Sequence, residues 1–446
     1  MNKPNHTARK VRTQRQKTLA LVSGGLVLVL CILLGTIWLR PKGGAIDEPV
    51  IMDTRKLPHY TLNKPLILVV VTSDLNNRNS TIWLIRINGE GLIDRHKLIE
   101  AYSNADNFPE NPLPWSSQGP FHLLQGPLSS GKLYASERLE MVSDHQRMKL
   151  HSWSIQWPLE QGPTIQSEEQ LLTLPASARP TAVISQELYY DDTLGIYRLE
   201  FASGTIAQIA TTSSEIQCSS PGLSPQGAFL AEMCLTRVNQ GSPASPYTST
   251  GQHIRILSLD GSGQRVLTPA DKNTYPFVSL SSFAYGIAPP VSPNYAWSSD
   301  ETQVAFVAAL EPPRLLNPVE QPPATYEDSG TIYSFSLQDG VLQKWVRTYG
   351  HNPQLAWSPD SRFIAYSLGN KLNLVSIDRE QRTIREYDDT LDGVLWSSDG
   401  SYIAVKHTSY IAAKYTSRLE IIRTSDYSSQ SVDLPGEVSE INWVTP

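Results

Sequence analysis

Cysteine is nearly absent from this chain, with three in 446 residues, which excludes both a disulfide-dense scaffold and a multi-cysteine metal array. Histidine is sparse too: nine are scattered, with no His-Glu-x-x-His and no pair at metal-ligand spacing. Charged residues make up only 18% and the formal net charge is −6, so a basic nucleic-acid-binding surface is not expected. Acid is missing entirely from residues 1–42, and only one long apolar run exists. What the chain has in quantity is 32 Pro, 27 Gly, 19 Tyr and 10 Trp. With 40% apolar residues, that composition belongs to a folded protein of strands and turns.

The acid-free segment carries eight bases: Lys3, Arg9, Lys10, Arg12, Arg15, Lys17, Arg40 and Lys42. All 43 acids lie beyond it, so the bulk of the chain is more acidic than the total suggests. Between the basic clusters, residues 18–39 contain no charge; as a helix they rise roughly 33 Å, enough to cross a hydrocarbon core of about 30 Å. Six bases precede the run, so the positive-inside rule places the N-terminus in the cytoplasm. A cleaved signal peptide fits less well, because the run is longer than such regions and ends Ile37-Trp38-Leu39-Arg40. The expected organisation is a basic cytoplasmic stub (1–17), a transmembrane helix (18–39), a stalk (40–64) and an ectodomain (65–446). That makes a single-pass protein of the cell membrane.

Beyond the stalk one pattern recurs. LAWSPDSRFIAYS (355–367), VLWSSDGSYIAVK (394–406) and YAWSSDETQVAFV (295–307) align without gaps, and PGLSPQGAFLAEM (221–233) is a weaker copy. Each reads as a strand, a tight turn built from Ser, Pro, Asp or Gly, and a returning strand. Degenerate copies are expected around Leu128–Gly131 and Ile184–Gln186. A second hairpin follows each copy, as in TIYSFSLQDGVLQKWV (331–346), IRILSLDGSGQRVLTP (254–269) and IYRLEFASGTIAQIAT (196–211). Four antiparallel strands per recurring unit make a propeller blade, and counting the second hairpins gives seven. The fold class expected is all-β, a single seven-bladed propeller, with six or eight blades as the alternatives. The terminal EINWV (440–444) repeats the opening of the pattern and then stops, so it should pair with LILVVVTSD (66–74) and close the ring.

The Trp-Ser-Pro-Asp-(Gly)-x-x-Ile-Ala pattern and the Leu-Asp-Gly-Ser-Gly hairpin resemble the TolB-type propeller repeats of bacterial envelope proteins. They are also similar to the WD-repeat class, though the Trp-Asp dipeptide that ends WD strands is missing. The resemblance implies a propeller and an envelope setting; TolB-type proteins carry a separate N-terminal domain where this chain has an apolar anchor.

With strands a to d running outward, a–b and c–d turns share one face and b–c and d–a connections share the other. The Ser-Pro-Asp turns belong to the first. The long connections 100–118, 236–251, 270–294 and 310–330 all fall on the second, with the aromatics Trp115, Tyr247, Tyr275, Phe277, Phe283 and Tyr285. Insertions on one face of a repeat protein mark a binding face, so these are the candidate partner-contact residues, for an envelope protein or a glycan. Packed spacer loops are the alternative.

Cys218 and Cys234 flank the 221–233 hairpin. If Ser224 and Ala228 face each other across the turn, the two cysteines, equally far back, face each other about 4.5–5.5 Å apart, within disulfide range. Catalytic patterns are not found. Gly222–Gly227 is a propeller turn rather than a nucleophile elbow, and the pairs Asp191-Asp192 and Asp388-Asp389 read as solvated turns. The expectation is a non-catalytic, membrane-anchored binding or scaffold module with no cofactor and no metal. The alternative is a hydrolase or lyase whose groups converge on the central channel.

Overall fold

Ile82 and Leu84 pack to one side of their strand while Ile85 and Ile87 pack to the other, and all four are fully buried. A sheet built of such strands has two apolar faces and must be covered on both. The computed structural model describes residues 50–60, 62, 65–74, 79–88, 91–102, 120–127, 130–157, 162–192, 194–211, 216–218, 221–238, 248–260, 263–267, 275–276, 295–309, 329–349, 353–411 and 414–444. The chain divides into two units, Met1–Val50 and Ile51–Pro446. The expected stub and transmembrane helix lie outside the described residues. Among the described residues no helix is long and apolar enough to cross a membrane.

Ile51–Pro446 is an all-β, seven-bladed propeller. Its seven sheets each have the inner-to-outer order a, b, c, d. Blade 1 combines the C-terminal strand Glu437–Val444 with Leu66–Ser73, Asn79–Asn88 and Gly91–Tyr102. Blade 2 is Phe121–Leu124, Lys132–Val142, His145–Gln156 and Thr164–Pro175. Blade 3 is Arg179–Ile184, Glu187–Asp191, Gly195–Glu200 and Ile206–Thr211. In blade 4 the inner strand is split into Ile216–Cys218 and Gly222–Leu223, followed by Phe229–Val238, Thr248–Ser258 and Gln264–Leu267. Blade 5 has a split inner strand too, Tyr275–Pro276 and Tyr295–Trp297, then Gln303–Ala309, Ser329–Ser336 and Leu342–Tyr349. Blade 6 is Leu355–Trp357, Phe363–Leu368, Lys371–Ser376 and Glu380–Glu386, and blade 7 is Thr390–Trp396, Tyr402–Ile411, Lys414–Arg423 and Ser429–Val432.

Closure follows the expected pairing. Leu68 opposes Trp443 and Val70 opposes Ile441, so the last strand becomes the innermost strand of the first blade. The apolar residues form a cluster at each of the seven interfaces between neighbouring blades, including the one that closure creates between blades 7 and 1. The repeat tryptophans stitch blades together: Trp357 Nε1 donates to Ala296 O of the preceding blade at 3.0 Å, and Trp297 Nε1 to Gly222 O at 3.4 Å.

The recurring turn has one hydrogen-bond plan. Ser298, Ser358 and Ser397 donate their hydroxyls to Asp300, Asp360 and Asp399 at 2.6, 2.6 and 2.8 Å. The same hydroxyls accept from the N–H groups of Gln303, Phe363 and Tyr402 at 2.9, 2.9 and 3.0 Å. The fourth turn residue takes a left-handed backbone in every copy: Gly227 (φ 85°), Glu301 (58°), Ser361 (57°) and Gly400 (79°). In the weak copy Gln226 replaces Asp, and its N–H is taken instead by Glu301 of the next blade at 2.6 Å.

Part of the expected stalk is packed against the ring. Met52 is fully buried in the cluster between blades 6 and 7 and its N–H donates to Gln381 O at 2.8 Å. Tyr427 donates to Pro58 O at 2.8 Å, and the Tyr60 and Trp396 rings meet at right angles with centroids 5.9 Å apart. Burying a side chain such as Met52 contributes about 1.5–3 kcal/mol, which is why an apolar residue here does not remain in a solvated linker.

Candidate functional site

Strand polarity sorts the residues by face. Inner strands run from the face of the d–a and b–c connections (the loop face) to the face of the Ser-Asp turns (the turn face), and second strands run back. Trp115, Tyr247, Phe277, Phe283 and Tyr285 lie outside the described residues. Tyr275 enters with its backbone alone, opposite Ala309 in blade 5. The described part of the loop face carries other apolar side chains, which the long-loop reading missed because they sit at strand ends and in short turns. Tyr102 ends the outer strand of blade 1 (69% exposed), Val142 ends the second strand of blade 2 (51%), and Leu194 lies in the b–c turn of blade 3 (62%). Three successive blades thus expose a large apolar group at the same end.

In blade 4, Cys218 and Cys234 are directly opposed and joined by a disulfide. The register differs from the simple hairpin: Leu223 opposes Leu230 and Gly222 opposes Ala231, one residue out of step with Ser224 facing Ala228. The offset is absorbed between Cys218 and Gly222, next to Pro221, where the inner strand is interrupted. Arg255 on the third strand lies over this bond, with an N–H directed at Cys218 Sγ at 3.9 Å. The same guanidinium pairs with Glu232 and donates to Thr211 O of blade 3 at 2.6 Å. Glu232 and Arg255 are both buried, at 2% and 5% exposure. Burial pushes the Glu232 carboxyl up to about 7, against the pull of Arg255.

The loop-face half of the channel wall continues this network through blades 3, 2 and 1. Asp191 directly opposes Arg179 and is paired with it. It is buried, and burial raises its carboxyl to about 6 in spite of the guanidinium. This corrects the reading of Asp191-Asp192 as a solvated turn: the first residue ends a strand and points inward, while Asp192 caps the turn by accepting from Leu194 N at 2.6 Å. Asp389 is corrected likewise, since it faces His407 Nδ1 at 3.2 Å in blade 7 and is half-buried. Glu440, on the closing strand, reaches blade 2, where one oxygen accepts from Leu123 N at 2.7 Å and the other meets His122 Nδ1 at 2.5 Å. Enclosure in the wall disfavours the imidazolium of His122, but Glu440 and Asp191 favour it, and the net direction is upward. The His122 side chain keeps 39% of its surface open.

Chemically, the wall is a chain of acid–base pairs. Arg179 answers Asp191 and Arg255 answers Glu232, while in blade 7 Lys406 meets Asp392 at 3.3 Å. Two histidines are held through Nδ1, His122 by Glu440 and His407 by Asp389, and His122 is the more exposed of the two, at 39% against 11% of its side chain. Among the described residues, Cys218, Glu232 and Cys234 bring three metal-type donor atoms within 4.8 Å, but the two sulfurs are bonded to each other and so do not form a cation site. Two shallow clefts, of about 260 and 340 Å³, lie between outer strands at the turn-face side of blades 2 to 4, away from this wall.

No family model matches the chain, and no curated protein matches its sequence. Solved structures with a similar fold include TolB from Acinetobacter baumannii, at 12% identity over 85% of this chain and 66% of that one, TM-score 0.39. A puromycin-hydrolyzing peptidase from Mycobacterium tuberculosis is similar at 13% identity over 72% of this chain, TM-score 0.44, and the chain spans 48% of its length. An oligogalacturonate lyase in complex with manganese matches at 9% identity over 80% of this chain and 97% of that one, TM-score 0.33. At such identities the likeness is one of fold alone.

Proposed function

We propose that this protein is a membrane-anchored, extracytoplasmic propeller of the bacterial envelope that binds a protein or glycan partner on its loop face and catalyses nothing itself. The observation that carries this reading is the exposure of Tyr102, Val142 and Leu194 on three successive blades at the loop face, the face to which the sequence pattern assigns the long connections. Exposed apolar groups on neighbouring blades of a rigid ring are what a docking surface needs, and here those blades adjoin one another, whereas the exposed Ile206, Val341 and Ile377 of the turn face belong to blades 3, 5 and 6. The pairing of wall charges with one another supports a structural rather than a reactive interior. The anchor rests on residues 18–39 and their basic flanks; tethering would raise the local concentration of the ring near membrane-bound partners.

Two experiments test it. Cell fractionation should find the full-length protein in the membrane and a variant lacking residues 18–39 outside it; equal distribution of both would remove the anchor. Photo-cross-linking from position 102 or 194 in cells should give one discrete adduct, and no adduct at either position would remove the docking surface.

The second reading, an enzyme at the channel, is favoured by one arrangement, a partly exposed His122 held through Nδ1 by Glu440. A general base needs that geometry. Turnover in a hydrolase and lyase substrate screen that disappears in His122→Gln would establish it, and no turnover in the wild type would dismiss it.

A further inference from the structure

We propose that Cys218–Cys234 is a redox-active site, opened by a dithiol reductant, in which Glu232 protonates the departing sulfur of Cys234 and Arg255 stabilises the thiolate of Cys218. The site lies apart from the docking surface and stands whether or not that reading holds.

The geometry assigns each role. Cys218 is half-buried whereas Cys234 has no exposure, so an incoming thiolate reaches Cys218 Sγ and Cys234 Sγ is the leaving group. A thiolate released into a closed apolar interior is a poor leaving group unless a proton is delivered as it forms. Glu232 is the group placed to deliver it: a carboxyl oxygen lies within 4.8 Å of both sulfurs and the residue is 2% exposed. Arg255 directs an N–H at Cys218 Sγ, and a neighbouring guanidinium favours the thiolate form of a cysteine. A cross-link serving stability alone requires neither group. Replacing a buried ion pair by apolar packing of the same volume is often neutral for stability, so stability alone does not account for its place against the sulfurs.

The exchange balances. The reductant thiolate attacks Cys218 Sγ, forming a mixed disulfide, while the bond to Cys234 breaks. The electron pair of that bond passes to Cys234 Sγ, which takes the Glu232 proton. The reductant's second thiol, giving its proton to the Glu232 carboxylate, then displaces Cys218 and closes its own disulfide. Cys218 leaves as a thiolate beside Arg255, and two electrons have moved from the dithiol to the protein. The charged groups around Glu232 are Arg255 of its own blade and Asp191 and Arg179 of blade 3. Burial keeps a proton on Glu232 to about 7, so it can donate near neutrality and loses that ability at higher pH.

The test is the rate of reduction of the folded, full-length protein by dithiothreitol, read by thiol alkylation and mass spectrometry, with near-UV circular dichroism to verify the fold. Near pH 6, Glu232→Gln should be reduced about a hundredfold more slowly than wild type, the low end of what a positioned acid contributes. The two rates should converge near pH 9. A variant reduced as fast as wild type or faster near pH 6 overturns the proposal, because mere loosening of the site would speed reduction. If Glu232→Gln does not fold, wild type decides: its rate relative to oxidised glutathione under the same reductant should fall as pH rises from about 6 to 9, and a flat ratio overturns the assignment.

Discussion

The two ends of the ring are built on different principles. At the turn face, blades 5, 6 and 7 repeat one device: a buried serine that donates to an Asp two residues on and accepts from an N–H five residues on, followed by a residue with positive φ; blade 4 keeps the accepting serine and the positive φ but has Gln226 in place of the Asp. At the loop-face end no two blades are alike. Blade 1 contributes Glu440, blade 2 His122, blade 3 Arg179 with Asp191, and blade 4 Glu232 with Arg255 and a disulfide. Repetition meets a demand that every blade shares, which is to turn the chain and seal the strand ends. Individuality has no such common cause, and it is there that function is to be sought.

The contrast can be broken or sharpened by substitution. The largest effect is expected at the individual end. Arg255→Met should destabilise by about 3–5 kcal/mol in denaturant titration above about pH 7, where Glu232 ionises and is left buried without its cation. The pH dependence has a definite sign. Asp191 and Glu232 both have folded values raised above their ordinary ones, so the native state holds the extra protons. Their contribution is therefore neutral in acid and turns unfavourable as pH climbs from about 4 to 7, and wild-type stability attributable to them falls over that window. In Arg255→Met the fall should steepen; a loss independent of pH would mean that packing, not charge, is what Arg255 supplies.

Replacing both cysteines by serine comes next. The bond closes a loop of 16 residues, and its loss should lower stability by about 3 kcal/mol in the chain-entropy account. At the repeated end, Ser358→Ala and Ser397→Ala each leave a buried N–H without its acceptor, at about 1–3 kcal/mol. The two values should agree closely, and a large disparity between them would deny that the turns are equivalent. Smallest of all, Ser361→Gly should stabilise by about 0.5–1 kcal/mol, because a side chain with positive φ is relieved where other copies already carry glycine.

This division also decides what could be read in the sequence. The turns were legible because Ser, Pro, Asp and Gly are demanded by local backbone geometry, and local demands leave a pattern at fixed spacing. The blade count and the pairing of residues 66–74 with the C-terminus followed from it. Asp191 was not legible, because its neighbour Asp192 does cap a turn, and only the assembled sheet places Arg179 opposite the inward one of the two. His122 and Glu440 are 318 residues apart and meet only because the ring closes. The facing of Cys218 and Cys234 could be approached by counting back from the turn. The irregularity at Pro221 that sets their actual register could not, since it depends on how the split inner strand meets its partner. The packing of Met52 is illegible for a related reason: the short apolar run Val50-Ile51-Met52 between polar residues shows nothing of the groove that receives its last member.

The central claim is that the loop face, and not the turn face, meets the partner, and a matched pair of triple variants tests it most directly. One variant changes Tyr102, Val142 and Leu194 to serine; the other changes Ile206, Val341 and Ile377, which are exposed beside the c–d turns of the opposite face. Cross-linked partner recovered from cells should fall sharply with the first variant and stay at the wild-type level with the second. Undiminished recovery with the loop-face variant, or a loss confined to the turn-face variant, would contradict the account.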